Sequence, residues 1–255
     1  MQARKVPAAH GWLWIKQGYA LFRMNSLLWM VLTAIGVVGL FGISLIPAVG
    51  DPLATLLFPV LLAGFMLGCR AITQGEELEL AHLFSGFRHN TQQLVALGGI
   101  NLISQLLIMG VMMATGGATL VAILMSGKPV EDPAVLTQAM TGAGLAVTLG
   151  VLLFSLLLMA LQFAPMLVIF NGMRPLPAMR TSLRAFVRNW LPFTVYGVAL
   201  LPIALLASMP AMLGWLVLLP ILITSLYVIY QDVFSAPAVD VDAANDATSD
   251  EQSHF

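Results

Sequence analysis

Residues 27–49 read LLWMVLTAIGVVGLFGISLIPAV, a run in which no side chain carries a charge. A helix needs about 20 mainly apolar residues to cross the hydrocarbon core of a bilayer, so this run is long enough to span a membrane. The polar stretch before it and the absence of a small-residue cleavage site are not typical of a signal peptide. We therefore expect this first helix to remain in the mature protein.

Five further apolar runs follow, which predicts an all-α polytopic membrane protein with six transmembrane helices. The composition agrees, because 59% of the 255 residues are hydrophobic and only 9% are charged, outside the range of soluble domains. The third and fourth runs exceed the required length, so we expect them to tilt or to continue beyond the membrane. The predicted spans are Leu27–Val49, Leu53–Ile72, Leu94–Met125, Leu136–Phe170, Leu191–Met209 and Ala211–Tyr230.

The basic residues are segregated along the chain. Ten of the eleven Lys and Arg residues precede the first span or lie in the second and fourth connections, and only Lys128 falls on the other side. The positive-inside rule places the basic connections in the cytoplasm. We therefore expect a multi-pass protein of a bacterial inner membrane with both termini cytoplasmic. Residues 1–234 form a single membrane domain in this interpretation, and residues 235–255 form a disordered acidic cytoplasmic tail.

A short motif occurs three times, as ALFRMNSLLW (Ala20–Trp29), SGFRHNTQQL (Ser85–Leu94) and RAFVRNWLPF (Arg184–Phe193). Each copy has a Phe, a nearby Arg, and an Asn three positions after the Phe. Apolar residues before each Phe recur every three or four positions, which predicts an amphipathic helix lying in the membrane interface. The predicted architecture is three repeats, each an interfacial amphipathic helix followed by a helical hairpin, at about residues 9–73, 74–170 and 171–234.

The arginines of the three units lie apart from the apolar stripe, most clearly in the third unit, where they recur at four-residue steps. A basic face on an interfacial helix is typical of contact with lipid phosphates. We therefore expect membrane lipids with anionic headgroups to be the partners of this protein. The residues assigned to headgroup contact are Arg23, Arg88, Arg180, Arg184 and Arg188.

Two further residue types recur in the repeat. An asparagine stands where each chain segment turns from the interface into the membrane, and we expect its side chain to cap the new helix. A proline lies within the second helix of each hairpin, where it bends the helix. Such bends are packing features copied by duplication or they mark a hinge or cavity at mid-membrane. The predicted caps are Asn25, Asn90 and Asn189, and the predicted kinks are Pro59, Pro165 and Pro220.

The sequence contains no recognisable catalytic or metal-binding motif. The four histidines are scattered, with His82 and His89 seven residues apart on one predicted interfacial helix, and Cys69 is the only cysteine. We therefore expect no metal, no cofactor and no enzymatic activity. The span interiors also lack the ionisable groups of ion-coupled transporters. Neutral side chains such as Asn101, Gln105 and Gln162 pair between helices or line a narrow polar path.

The stretch Gly64–Gly98 (GFMLGCRAITQGEELELAHLFSGFRHNTQQLVALG), together with YVIYQDVF at Tyr227–Phe234, resembles a family of uncharacterised bacterial integral membrane proteins. The similarity runs from about Trp12 to Phe234 and implies the six-span fold. The layout is more remotely similar to the membrane domain attached to some glycerophosphodiester phosphodiesterases, which implies a setting close to lipids. The catalytic domain of those enzymes has no counterpart here, and the resemblance assigns no functional residues.

Three functions are compatible with these patterns. The first is a non-enzymatic scaffold or membrane-organising protein that binds lipids through its basic interfacial helices. The second is a permease for a small neutral or amphiphilic solute, whose path is lined by the kinked helices. The third is an assembly factor for another membrane protein, whose identity the sequence does not indicate. The net charge of −1 gives no support for binding nucleic acid.

Overall fold

The computed structural model describes residues 3–126, 132–209 and 212–234, and every regular element in these residues is helical. The predicted all-α class is thus confirmed for the described chain. Lys128 and the predicted tail at 235–255 lie outside these residues. In chain order the α-helices are α1 (His10–Met24), α2 (Ser26–Ser44), α3 (Gly50–Thr73), α4 (Ala81–Phe84), α5 (Thr91–Met112), α6 (Ala118–Ser126), α7 (Pro133–Met140), α8 (Gly144–Gln162), α9 (Ala164–Asn171), α10 (Pro175–Arg188), α11 (Trp190–Ser208) and α12 (Trp215–Phe234).

Six helical stretches of the described chain are long and apolar enough to cross a membrane. They are α2, α3, Thr91–Ile123, Gly144–Asn171, α11 and α12, which agrees with the predicted number. The predicted start of the fourth span at Leu136 is wrong, because α7 is a separate helix and the chain turns at Gly142, where φ is 85°. The third stretch contains a π-helical turn with Gly116 at φ 99°.

The segment between α3 and α5 differs from the predicted second interfacial helix. α4 has only four residues and continues into a 3₁₀ turn at Ser85–Phe87, so the prediction that one helix carries both His82 and His89 is wrong. Close packing on α3 gives the reason. Gly64 has no side chain, and a Cβ atom added to it would lie only 2.8 Å from the His82 carbonyl oxygen. The segment therefore packs directly on the α3 backbone. Asn90, with φ 53°, then turns the chain into α5.

The first and third predicted repeat units do begin with long amphipathic helices. α1 has 15 residues and α10 has 14, and a single residue separates each of them from the membrane-spanning helix that follows. Both helices, together with α4, lie on the same side of the bundle as the ends of α3, α9 and α12. We call this the basic side. The threefold repeat as a whole stays a prediction, because the second unit lacks the corresponding long helix.

Helix α1 packs tightly across α11 and α12. A Cβ at Gly11 would lie 2.8 Å from the Tyr196 backbone nitrogen, and a Cβ at Gly18 would lie 2.7 Å from the Ser225 Cα. The two glycines are seven residues apart and therefore share one face of the helix. The Thr224 hydroxyl donates a 2.8 Å hydrogen bond to the Gly18 carbonyl oxygen, which fixes this crossing.

The spanning helices form an incomplete ring. α3 packs against α2 and α5, α5 packs against α8, and α12 packs against α2. α11 packs on α1 and α12, but within the described residues it has no extended contact with α8. The ring is therefore open between α8 and α11. On the basic side α10 connects α9 to α11 and packs against α8 and α9.

The fourth span is interrupted between α8 and α9, two residues before Pro165. Ser182 of α10 enters this interruption. Its hydroxyl donates a 2.7 Å hydrogen bond to the Met159 carbonyl oxygen and accepts a 3.1 Å bond from the Phe163 backbone nitrogen. These two backbone groups would bond each other in an unbroken helix. A side chain inserted into the helical hydrogen-bond ladder is a known cause of helix kinks.

Candidate functional site

Helix α10 has one basic face and one buried face. Arg180, Arg184 and Arg188 are all exposed, whereas Ser182 and Ala185 are fully buried. The arginines recur every four residues and therefore form one stripe along the helix. Within the described residues none of the three forms a salt bridge. The stripe thus offers three guanidinium groups to a ligand outside the protein.

The other two predicted headgroup residues lie on separate elements. Arg23 is in the last turn of α1, and its guanidinium lies 5.9 Å from the centre of the Tyr19 ring. Arg88 follows the 3₁₀ turn after α4. Both side chains are exposed. The structure therefore leaves all five arginines accessible on the basic side, and their contact with headgroups stays a prediction.

The three asparagines stand at the N-cap positions of α2, α5 and α11, as predicted, but none of their side chains caps the helix. The capping prediction is therefore wrong in its mechanism, because the structure gives two of these side chains other partners. The Asn90 amide donates a 3.2 Å bond to the Val168 carbonyl oxygen. The Asn189 side chain accepts a bond from the Val6 nitrogen and donates one to the Arg4 carbonyl oxygen, each at 2.9 Å. For Asn25 the structure gives only the position.

The N-terminal segment is bound to the end of α12 through Asp232. The Asp232 carboxylate accepts hydrogen bonds from His10 Nδ1 and Trp14 Nε1, each at 2.7 Å, and pairs with the Arg4 guanidinium. The Arg4 backbone nitrogen also donates a 2.9 Å bond to the Val233 carbonyl oxygen.

The sequence analysis did not identify this cluster. The signal was present, because Asp232 is an isolated acid at the end of a span on the side that carries nearly all the basic residues. Its partners, however, lie more than 200 residues away, at separations of 218, 222 and 228 positions. Separations of this size leave no periodic pattern in the sequence.

A cavity of about 660 Å³ lies inside the ring of spanning helices. Its walls come from α2, α3, α5, α8, α9, α10, α11 and α12. Pro59 and Pro165 both line it, and Pro220 is buried beside the lining residue Leu219. Two of the three predicted kink positions thus line one cavity. Only at Pro165 is the helix interrupted nearby, whereas α3 and α12 continue through their prolines.

The cavity wall is mainly apolar, with a few neutral polar groups. Asn101 and Gln105 pair with each other through a 3.1 Å hydrogen bond on α5. Thr33 is buried, and its hydroxyl has no hydrogen-bond partner. Gln162 also lines the cavity, is exposed, and forms no side-chain hydrogen bond within the described residues. None of the described residues that line the cavity is Asp, Glu, Lys, Arg or His, so these residues present no charge to a ligand.

An aromatic layer closes the cavity toward the basic side. The Phe186 and Phe193 rings stack with their centres 4.0 Å apart, and Trp14 and Phe163 pack on Phe193 at 5.2 and 5.8 Å. Phe186 and Phe193 also line the cavity. On the other hand, Leu158 of α8 and Gly197 of α11 line the cavity while both are exposed. Since α8 and α11 also lack an extended contact in the described residues, the cavity is open between them.

No group of three His, Cys, Asp or Glu side chains suited to a metal ion occurs in the described ranges. The His82 imidazole hydrogen-bonds to the backbone of Glu79, and His89 contacts the Ser85 carbonyl oxygen. Cys69 is buried. The chemistry available at these sites is therefore charge pairing at the α10 stripe and apolar contact with neutral hydrogen bonding inside the cavity.

The chain is similar to a probable inner membrane protein of Burkholderia thailandensis. The two sequences are 32% identical over 209 residues, which is 80% of this chain and 77% of the relative. No sequence profile of a described family matches the chain. No solved structure matches it either.

Proposed function

The chain belongs to the family of the probable inner membrane protein of Burkholderia thailandensis and is a multi-pass inner-membrane protein; from this premise we propose that it binds anionic phospholipids through the basic face of α10. In this proposal the basic side and both termini face the cytoplasm, as the positive-inside rule predicts. The protein acts without catalysis, as a lipid-binding unit that organises the membrane around it.

The division of α10 into two faces carries this proposal. A helix that buries small residues against the protein and exposes a stripe of arginines is suited to lie in the interface with its guanidinium groups toward phosphates. Arginine binds phosphate through paired N–H donors, which favours it over lysine for this role. The three arginines of α10 have no acidic partner in the described chain, so they are available to lipid.

Two further observations support the proposal. Arg23 and Arg88 extend the positive charge over the basic side beyond α10. The remote similarity of the six-span layout to the membrane domain attached to some glycerophosphodiester phosphodiesterases also favours a role close to lipids.

Replacing Arg180, Arg184 and Arg188 together with Gln is expected to weaken the binding of phosphatidylglycerol. Each Lys or Arg near an anionic surface contributes about 1 kcal/mol, so the loss is roughly a hundredfold in affinity at about 1.4 kcal/mol per tenfold. Native mass spectrometry of the protein, released from nanodiscs with graded amounts of phosphatidylglycerol and phosphatidylcholine, measures the retained lipid.

Two control variants separate charge from structure. The triple Arg→Lys variant keeps the charge of α10 and should retain most of the binding. The double variant Lys5→Gln, Lys16→Gln removes exposed charges elsewhere on the basic side and should have the smaller effect. Equal phosphatidylglycerol retention by the Gln triple variant and the unmodified protein would rule out the proposed role of α10.

A permease for a small neutral or amphiphilic solute is the second candidate, and the cavity favours it. Transport requires the aromatic layer of Phe186 and Phe193 to open toward the basic side. A cysteine placed at the cavity residue Leu222, in a chain with Cys69→Ala, tests this. Modification by a charged thiol reagent applied from the basic side would favour a permease, and protection from it would favour a closed binding cavity.

A further inference from the structure

We propose that the cavity holds one acyl chain of the phospholipid whose headgroup lies on α10, and that this chain enters from the bilayer between α8 and α11. This inference rests on the proposed function, since it names where the hydrophobic part of the same lipid is bound. It assigns a ligand to the cavity and a role to the opening in the ring of spans.

The length of the cavity fits one acyl chain. On α12 the lining residues run from Leu219 to Ile229, a distance of about 15 Å at about 1.5 Å per residue. The lining extends from the aromatic layer on the basic side to Leu40 of α2 and Leu219, each four residues from the opposite end of its helix. One leaflet contributes about half of the roughly 30 Å hydrocarbon core of a bilayer. The cavity is therefore long enough for an acyl chain of the leaflet on the basic side.

The chemistry of the wall selects a hydrocarbon chain. The wall is formed mainly by leucine, isoleucine, valine and phenylalanine side chains, and no Asp, Glu, Lys, Arg or His is among them. A charged headgroup inside would lose its hydration without gaining an ionic partner, which costs several kcal/mol or more. The volume of about 660 Å³ lies within the range of ligand pockets. The headgroup must therefore remain outside, in the interface.

The position of α10 places the headgroup site beside the opening. α10 packs on α8 and α9 and leads into α11, so it extends along the margin of the gap between α8 and α11. Its residue Phe186 lines the cavity, while Arg184 and Arg188 on either side of Phe186 in sequence are exposed. A single phospholipid can thus contact the arginines with its phosphate and extend a chain past Phe186.

Gln162 is suited to bind the ester region of this lipid. It directly precedes Phe163, whose backbone nitrogen is bonded to Ser182 of α10, so it lies at the level of α10. Its side chain lines the cavity and forms no hydrogen bond within the described chain. The carboxamide N–H groups can therefore donate to an ester carbonyl where the lipid passes from the headgroup site to the chain site.

Photo-crosslinking tests the chain site directly. The full-length protein is placed in nanodiscs that contain phosphatidylglycerol with a diazirine in the distal half of one acyl chain, irradiated, digested and mapped by mass spectrometry. We expect adducts on Gly36 and Pro59, which line the cavity near the middle of α2 and α3 and are buried from the outer surface. Adducts restricted to the outer faces of the spans would overturn the inference.

Filling the opening should remove these internal adducts. Gly197→Trp is suitable because a Cβ at Gly197 meets no atom within 4 Å. Leu158→Trp narrows the opening from the opposite wall, and its side chain is 50% exposed. The matched control is Gly39→Trp, at an exposed glycine of α2 that also has open space but does not line the cavity. Internal adducts should be lost in both opening variants and kept in the control.

The two proposals fail in different ways. If the Gln triple variant of α10 keeps its internal adducts and phosphatidylcholine labels the cavity as well as phosphatidylglycerol does, the headgroup role is wrong and the chain site stands. The chain site is wrong if phosphatidylglycerol retention depends on the arginines but no internal adducts form. It is also wrong if internal adducts form and persist in both tryptophan variants. A thermal melt of each folded variant confirms that lost adducts do not reflect unfolding.

Discussion

Asp232→Ala is expected to lower the free energy of unfolding by about 3–5 kcal/mol, because each hydrogen bond to a charged group contributes about 1.5–3 kcal/mol. The carboxylate accepts two such bonds, from His10 and Trp14, and its side chain is only 14% exposed. The ion pair with Arg4 adds little, since the Arg4 side chain is 40% exposed and therefore well screened. Equilibrium unfolding in mixed micelles, followed by tryptophan fluorescence, measures the change.

The control for Asp232 is Asp51→Ala, at an exposed carboxylate in the first turn of α3. This variant should change the free energy of unfolding by no more than about 1 kcal/mol, the usual limit for exposed charges near a helix N-terminus. A second variant, Asp232→Asn, keeps the size of the side chain and removes its charge. If Asp232→Ala and Asp51→Ala are equally stable, the cluster does not hold the N-terminal segment.

Ser182→Ala is expected to cost about 2–5 kcal/mol, since it leaves two buried backbone groups unpaired at about 1–3 kcal/mol each. The Ser182 side chain is fully buried and bonds both the Met159 carbonyl oxygen and the Phe163 nitrogen. The same unfolding titration gives the free-energy change, and amide hydrogen exchange at Phe163 gives the local effect.

Thr181→Ala is the matched control, on the same helix beside Ser182 but without a side-chain hydrogen bond in the described structure. It should leave the exchange rate at Phe163 unchanged, whereas Ser182→Ala should raise it. An alternative result is informative as well. If Ser182→Ala costs less than about 1 kcal/mol and Phe163 stays protected, α8 and α9 have closed into one helix, and the interruption does not need the serine.

The spanning helices could be predicted from the sequence because each rests on a long uncharged run. Their ends were less accurate where backbone conformation decided them. The first span was expected to reach Val49, but α2 ends at Ser44, because Pro47 and the left-handed Ala48, with φ 67°, turn the chain toward α3. The turn at Gly142 shortened the fourth predicted span in the same way.

The predicted caps and the second amphipathic helix failed for a common reason. Local sequence patterns predict the conformation that a segment adopts by itself. In the folded protein, however, these segments contact residues that are distant in the sequence. Asn189 could cap α11, but its side chain bonds the N-terminal segment at Arg4 and Val6. Residues 81–87 have helical periodicity, yet direct packing on Gly64 of α3 leaves only a short helix there.

The candidate site was predictable only in part. The arginine stripe of α10 follows from four-residue spacing, and the structure places it on an exposed face. The grouping of Pro59 and Pro165 around one cavity was anticipated as one of two alternatives, because repeated prolines indicate a bend without indicating what the bend encloses. The opening between α8 and α11 depends on which helices pack together, and no residue pattern in either helix specifies it.

The attachment of the N-terminal segment to Asn189 and Asp232 has a consequence for biogenesis. Arg4 leaves the ribosome early, but its carboxylate partner follows 228 residues later, a delay on the order of 10–50 s at about 5–20 residues per second. The contact therefore forms only after the last span has been inserted. Until then Arg4, His10 and Trp14 lack this carboxylate, so closure of the N-terminal segment depends on the insertion of α12.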